Sequence, residues 1–124
     1  MAGNTFILKL TDNADVLEEL RKLVSEQRIT YAFVENASGR LKEFQLVSHA
    51  PNGRVETNYF KDACELNAMH GKIQRAQGEF VVNVRVLASR TGFTGVSGQL
   101  LKGKADGELI IELRKVDMSK MIEA

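Results

Sequence analysis

The chain has 124 residues, 44% of them hydrophobic and 27% charged, with a formal net charge of +1. A chain of this length buries enough surface for one hydrophobic core and too little for two, so it is read as a single domain over residues 1–124. A charge so close to zero, with no run of basic residues, gives little nonspecific attraction to phosphate backbones. The start, MAGNTFILKL, has no basic segment ahead of its short apolar run, and no stretch approaches the roughly 20 apolar residues that a spanning helix needs. The expectation is a cytoplasmic protein with no membrane partner. Cys64 is the single cysteine. It cannot form an internal disulfide and, beside Ala63 and Leu66, reads as a buried inert thiol.

Thr5 to Leu10 alternate as a first strand. Ala14 to Gln27 place Val16, Leu17, Leu20, Leu23 and Val24 at helical spacing, with Asp12 or Asn13 available as N-cap and Asp15, Glu18 and Glu19 near the positive end of the helix dipole. A narrow apolar stripe with a charged back predicts a helix that covers one side of a sheet. After Ile29 no helical period recurs. β-Branched and aromatic residues between turn signals predict strands over Thr30–Asn36, Leu41–His49, Arg54–Phe60, Glu65–Gln74, Phe80–Ala88, Thr94–Leu101 and Glu108–Val116. Ser38-Gly39, Pro51-Asn52-Gly53, Gln77-Gly78 and Asp106-Gly107 mark turns, and Met118–Ala124 form a tail that is either a short helix or frayed. The fold class expected is α+β, with one main helix on a strongly curved, mostly antiparallel sheet of about seven or eight strands.

The segment Glu79 to Leu101 bears most directly on function. Side chains alternate along a strand, so Val82, Val84 and Val86 share an apolar face while Asn83 and Arg85, roughly 7 Å apart, share the other. A Gly- and Thr-rich turn at Arg90–Gly95 lets TGVSGQLL pair back as an antiparallel partner, with Ser97 and Gln99 on one face.

Taken in order, FILKL, ADVLEELRKL, SGRLKEF, ACELNAMHGKI, VNVRV, VSGQLLKGKA and GELIIEL resemble the plant and prokaryote conserved (PPC) domain family over nearly the whole chain. The resemblance implies a homotrimer in which sheets of neighbouring subunits meet. Many prokaryotic members carry a His-x-His pair matching Asn83 and Arg85 and a Gly-Gly-His whose His falls at Gln99, and all three are replaced here. Zinc and similar cations need imidazole nitrogens or thiolates, whereas a guanidinium has no lone pair to give. No metal or other cofactor is therefore expected. An anion suits Arg85 between two amides better: a ligand's carboxylate or a neighbouring subunit's glutamate. The alternative is an ion pair between Arg85 and an acidic residue of its own sheet. Glu65 matches a Glu common in the family and could meet Arg85 at a subunit boundary. In plants the domain follows an AT-hook, a short Arg-Gly-Arg-Pro core that enters the minor groove. This chain has no such core, and its one proline is Pro51.

DNA binding would have to come from a local basic surface drawn from Lys72, Arg75, Arg90, Lys102 and Lys104, among which Glu79, Asp106 and Glu108 are interspersed. His49 and His70 fall on different strands with no ligand at metal spacing and read as hydrogen-bonded structural residues. Glu65 and His70, an odd number of residues apart, cannot share a strand face without a bulge and so form no obvious acid and base pair. Phe44, Leu46, Tyr59, Phe60 and Phe93 are core residues first and interface candidates second. TGFTGVSG lacks the lysine and the strand-to-helix setting of a phosphate loop, and no Gly-x-Ser-x-Gly, Walker-type loop or dinucleotide fingerprint occurs. The function expected is a homotrimeric, non-catalytic interaction or regulatory module whose partner is another protein or DNA. The alternative is a small-anion sensor or enzyme using an intersubunit pocket around Asn83, Arg85 and Gln99.

Overall fold

A computed structural model describes residues 4–49, 51–90 and 94–116. One helix packs against an eight-stranded, wholly antiparallel sheet, so the chain is α+β and mostly β. The elements in order are β1 (Thr5–Leu10), α1 (Val16–Glu26), β2 (Tyr31–Ser38), β3 (Arg40–His49), β4 (Val55–Phe60), β5 (Cys64–Ala76), β6 (Glu79–Arg90), β7 (Thr94–Ala105) and β8 (Leu109–Lys115). The expected tail at Met118–Ala124, Phe93 and most of the turn after Arg90 lie outside the described residues.

Asp15 caps α1, its carboxylate accepting from the Glu18 amide at 3.1 Å. The expectation of Asp12 or Asn13 as cap is corrected. Asp15-Val16-Leu17-Glu18 has the spacing by which a cap side chain meets the third helical amide, and Asp12 is engaged elsewhere. Its Oδ1 accepts from the Gly107 amide at 2.8 Å and from Lys42 Nζ at 3.0 Å. These two bonds tie the β1–α1 junction to the β7–β8 turn and to β3, and they hold the Asp12 carboxyl below its ordinary value of 3.8, the Gly107 amide being the larger cause. The helix ends with Arg28 at φ 53°, while Arg28 N donates to Ser25 O and Ile29 N to Val24 O. This paired C-terminal closure usually recruits glycine at the left-handed position.

The strands lie in the order β1-β8-β2-β5-β6-β7-β3-β4. β3 also pairs with the start of β5 through Arg40↔Glu65 and Leu41↔Cys64, so β5, β6, β7 and β3 form a closed cycle of pairings. The strand ends differ from expectation most in β7, which runs on to Ala105 because Lys102 and Lys104 find partners in Gln45 and Lys42 across irregular register. The β5–β6 hairpin closes on Gln77 (φ 53°) and Gly78 (φ 83°), the two left-handed residues of a tight hairpin turn.

The helix covers one sheet face with Val16, Leu17, Leu20 and Val24. Beneath it lie Phe44, Met69, Ile73, Val84, Val86, Ala88, Leu100, Ile111 and Leu113, all 2% exposed or less. Phe44 and Leu46 are buried and Phe60 is half-buried against them, stacked on Phe44 at 5.0 Å between ring centroids. Tyr59 points outward. Cys64 is buried, as its apolar setting implies, and burial pushes its thiol up.

Candidate functional site

On β6 the buried residues Val84, Val86 and Ala88 alternate with exposed Asn83, Arg85 and Leu87. The alternation read from the sequence therefore holds, and Asn83 and Arg85 stand on the sheet face opposite the helix. Arg85 is in register with Gln99 of β7 on one side and with His70 of β5 on the other, while Asn83 faces Lys72. Lys72 is in turn in register with Phe33 of β2, and Phe33 with Arg114 of β8.

These rows line a groove of about 610 Å³ bounded by Phe33, Val34, Glu35, His70, Gly71, Lys72, Asn83, Arg85 and Arg114. The volume falls within the range of small-molecule clefts, about 300 to 1,000 Å³. Gln99 lies one strand outside it, next to Arg85. Gly71 allows the close approach of β5 and β6 here, because a Cβ at this position would lie 2.2 Å from the Asn83 carbonyl oxygen and 2.5 Å from Val84 Cα.

The charges in the groove are unequal. Arg114 bonds to Glu35 through its Nε and lies over the Phe33 ring at 5.5 Å. Among the described residues, neither Arg85 nor Lys72 has a carboxylate within ion-pair distance. The alternative of an Arg85 ion pair within its own sheet is thus not realised among those residues.

Glu65 stands apart. It is in register with Ser89, four residues along β6 from Arg85, a span of roughly 13 Å on a strand. The structure does supply the bulge on which a shared face with His70 depended, between Leu66 and Ala68, so that Glu65, Asn67, His70 and Lys72 are all exposed. His49 and His70 form no side-chain hydrogen bond with the described residues and are both exposed, which corrects their reading as hydrogen-bonded structural residues. The sequence reading did not connect His70, Phe33, Glu35 or Arg114 with Arg85. They reach it only through the β8-β2-β5-β6 neighbour order, which no local spacing encodes.

The five candidate basic residues have separate surroundings. Lys72 is in the groove, Arg75 lies over Phe80 at 5.9 Å, Arg90 over Phe60 at 5.5 Å and Lys102 over Tyr59 at 5.8 Å, while Lys104 Nζ is 3.9 Å from Glu43. Only Lys102 and Lys104 are close neighbours, both exposed on β7.

The donor set at Asn83, Arg85 and Gln99 does not fit a divalent cation, since its one charged member is a guanidinium that repels metal and donates no lone pair. Among the described residues no group of three or more His, Cys, Asp or Glu side chains could hold a metal. No helix among them is long and apolar enough to cross a membrane.

A comparison with curated proteins finds no match. Among solved structures, the chain is similar to a PPC protein of Pyrococcus horikoshii, with a TM-score of 0.80 and 18% identity over 93% of this chain and 80% of that one. A candidate DNA-binding protein of Bacteroides thetaiotaomicron superposes with a TM-score of 0.84 and 17% identity, again over 93% and 80%. A metal-containing protein of Archaeoglobus fulgidus gives 0.78 and 16% over 91% and 80%. At these identities the likeness is one of fold. The model of the Plants and Prokaryotes Conserved domain matches residues 1–113, and the chain belongs to that family.

Proposed function

We propose that the protein is a non-catalytic interaction or regulatory module that works as a homotrimer, with the whole chain as one domain acting in the cytoplasm. The observation that carries this reading is the sheet face turned away from the helix, where Ile7, Val55, Tyr59, Val81, Leu87 and Leu101 are between 43% and 59% exposed. Large apolar side chains collected on one face mark an association surface, and among the described residues the two edge strands β1 and β4 each have a partner on one side only. The strong curvature expected of the sheet belongs to the same reading, because four strands whose pairings return on themselves cannot lie flat. Light scattering tests the assembly: a mass three times that of the 13.8 kDa chain is expected, falling towards the single chain in a Val81→Glu, Leu87→Glu double variant. A wild-type monomer would overturn the reading.

DNA as the partner is favoured by the similar structure from Bacteroides thetaiotaomicron, named as a candidate DNA-binding protein, and by the exposed Lys102 and Lys104 on β7. This form of the reading requires affinity for duplex DNA that falls steeply with salt and drops further when both lysines are changed to glutamine. Salt-independent or undetectable binding would leave a protein as the partner.

A further inference from the structure

We propose that the groove between β2, β5 and β6 binds a small phosphorylated metabolite, its phosphoryl group held by Arg85, Lys72, Asn83 and His70 and its body lying against Phe33. This site lies on the same sheet face as the apolar association surface, Asn83 and Arg85 standing between Val81 and Leu87 along β6, while its donors all come from one chain.

The argument begins with register. His70 and Lys72 occupy successive outward positions of β5, and Arg85 and Asn83 are their direct partners on β6. Directly opposed residues in an antiparallel pair are about 5 Å apart, diagonal ones about 7 to 8 Å. The four side chains therefore rise from one compact quadrilateral and can converge on a single group. Each is a donor: a five-hydrogen guanidinium fork, a three-hydrogen ammonium, an amide NH2 and a ring N–H. No carboxylate opposes the two cations at ion-pair distance among the described residues, since the groove's one acid, Glu35, is engaged by Arg114. Two uncompensated cations match the dianionic state of a phosphate monoester, whose three terminal oxygens can accept from several donors at once, whereas a lone carboxylate offers two oxygens and one charge.

The remaining wall supplies the rest of the ligand's surroundings. Phe33 is half-buried, and the Arg114 guanidinium is stacked on it. A groove of about 610 Å³ holds considerably more than an inorganic ion. An aromatic wall beside a cationic corner selects a molecule with a phosphoryl end and a flat or apolar body.

Phenyl phosphate is the probe, titrated into the wild-type protein at low salt by calorimetry, with light scattering in parallel so that a change of assembly is read separately from binding. Phthalate, an aromatic dianion of the same charge without a phosphoryl group, is the control ligand. Saturable binding of phenyl phosphate is expected, tighter than that of phthalate or inorganic phosphate. It should weaken about tenfold to a hundredfold in Arg85→Ala and in Lys72→Ala, the loss of one hydrogen-bonded charge. Both positions are exposed, so both variants fold. Lys22→Ala, exposed on α1 on the other side of the sheet, should bind as the wild type does. Absence of binding, equal or tighter binding of phthalate, or equal weakening by Lys22→Ala would each overturn the proposal.

Discussion

The two faces of β5, β6 and β7 are made by the same residues in alternation and have opposite characters. Towards the helix, Met69, Ile73, Val84, Val86, Ala88 and Leu100 are closed to solvent. Away from it, His70, Lys72, Asn83, Arg85 and Leu87 are exposed. The inner face carries stability through apolar burial, which is additive and tolerant of which apolar residue contributes it. The outer face contributes little to stability and is left free to be chemically particular.

Mutation can break this contrast. Phe44→Ala, from a fully buried ring, should cost about 3 to 5 kcal/mol of unfolding free energy. The nearby outward aromatic Tyr59, 51% exposed, should cost under about 1 kcal/mol as Tyr59→Ala. Denaturant unfolding of the two variants side by side checks it, and equal costs would mean that Tyr59 is buried in the assembly. Gly71→Ala should cost about 1 to 3 kcal/mol or more, since the added methyl meets the β6 backbone. If the strands instead separate to admit it, the groove between them changes shape and phenyl phosphate binding is lost at the same time. The smallest effect concerns the end of the sheet. Asp12 is held below its ordinary value by the Gly107 amide and Lys42, so its contribution is fully present above pH 3.8, the ordinary value, and is lost as pH falls through the lower folded value. Acid unfolding curves of the wild type and Asp12→Asn should converge at low pH, and a constant gap between them would show that Asp12 acts without its charge.

Much of the inner face was legible from residue order, because alternation in β6 and the helical stripe of α1 are local periodicities. The turn at Gln77-Gly78 was legible for the same reason, since its residue types match a tight hairpin. Three features were not. The cap moved from Asp12 or Asn13 to Asp15 because Asp12 is claimed by an amide 95 positions away. The bulge between Leu66 and Ala68 changes the phase of β5, so the odd spacing from Glu65 to His70 no longer puts them on opposite faces. The neighbours of Arg85 come from β5 and, beyond it, β2 and β8, and that order depends on which apolar faces pack best, a global property. Asn83 and Arg85 themselves were found because strand alternation sets them on the face opposite Val82, Val84 and Val86. Within the chain Gln99 is in register with Arg85 and Glu65 with Ser89.

The cycle of pairings through β5, β6, β7 and β3 also divides the chain by its tolerance of altered length. Adding a residue inside any of those four strands shifts a register that must still close on Arg40 and Glu65, so one insertion has to be absorbed by another elsewhere in the cycle. The β3–β4 connection around Asn52 and Gly53 lies outside the cycle, and its exposed turn is under no such obligation. Insertions therefore belong at that tip, where the chain can lengthen without disturbing the groove.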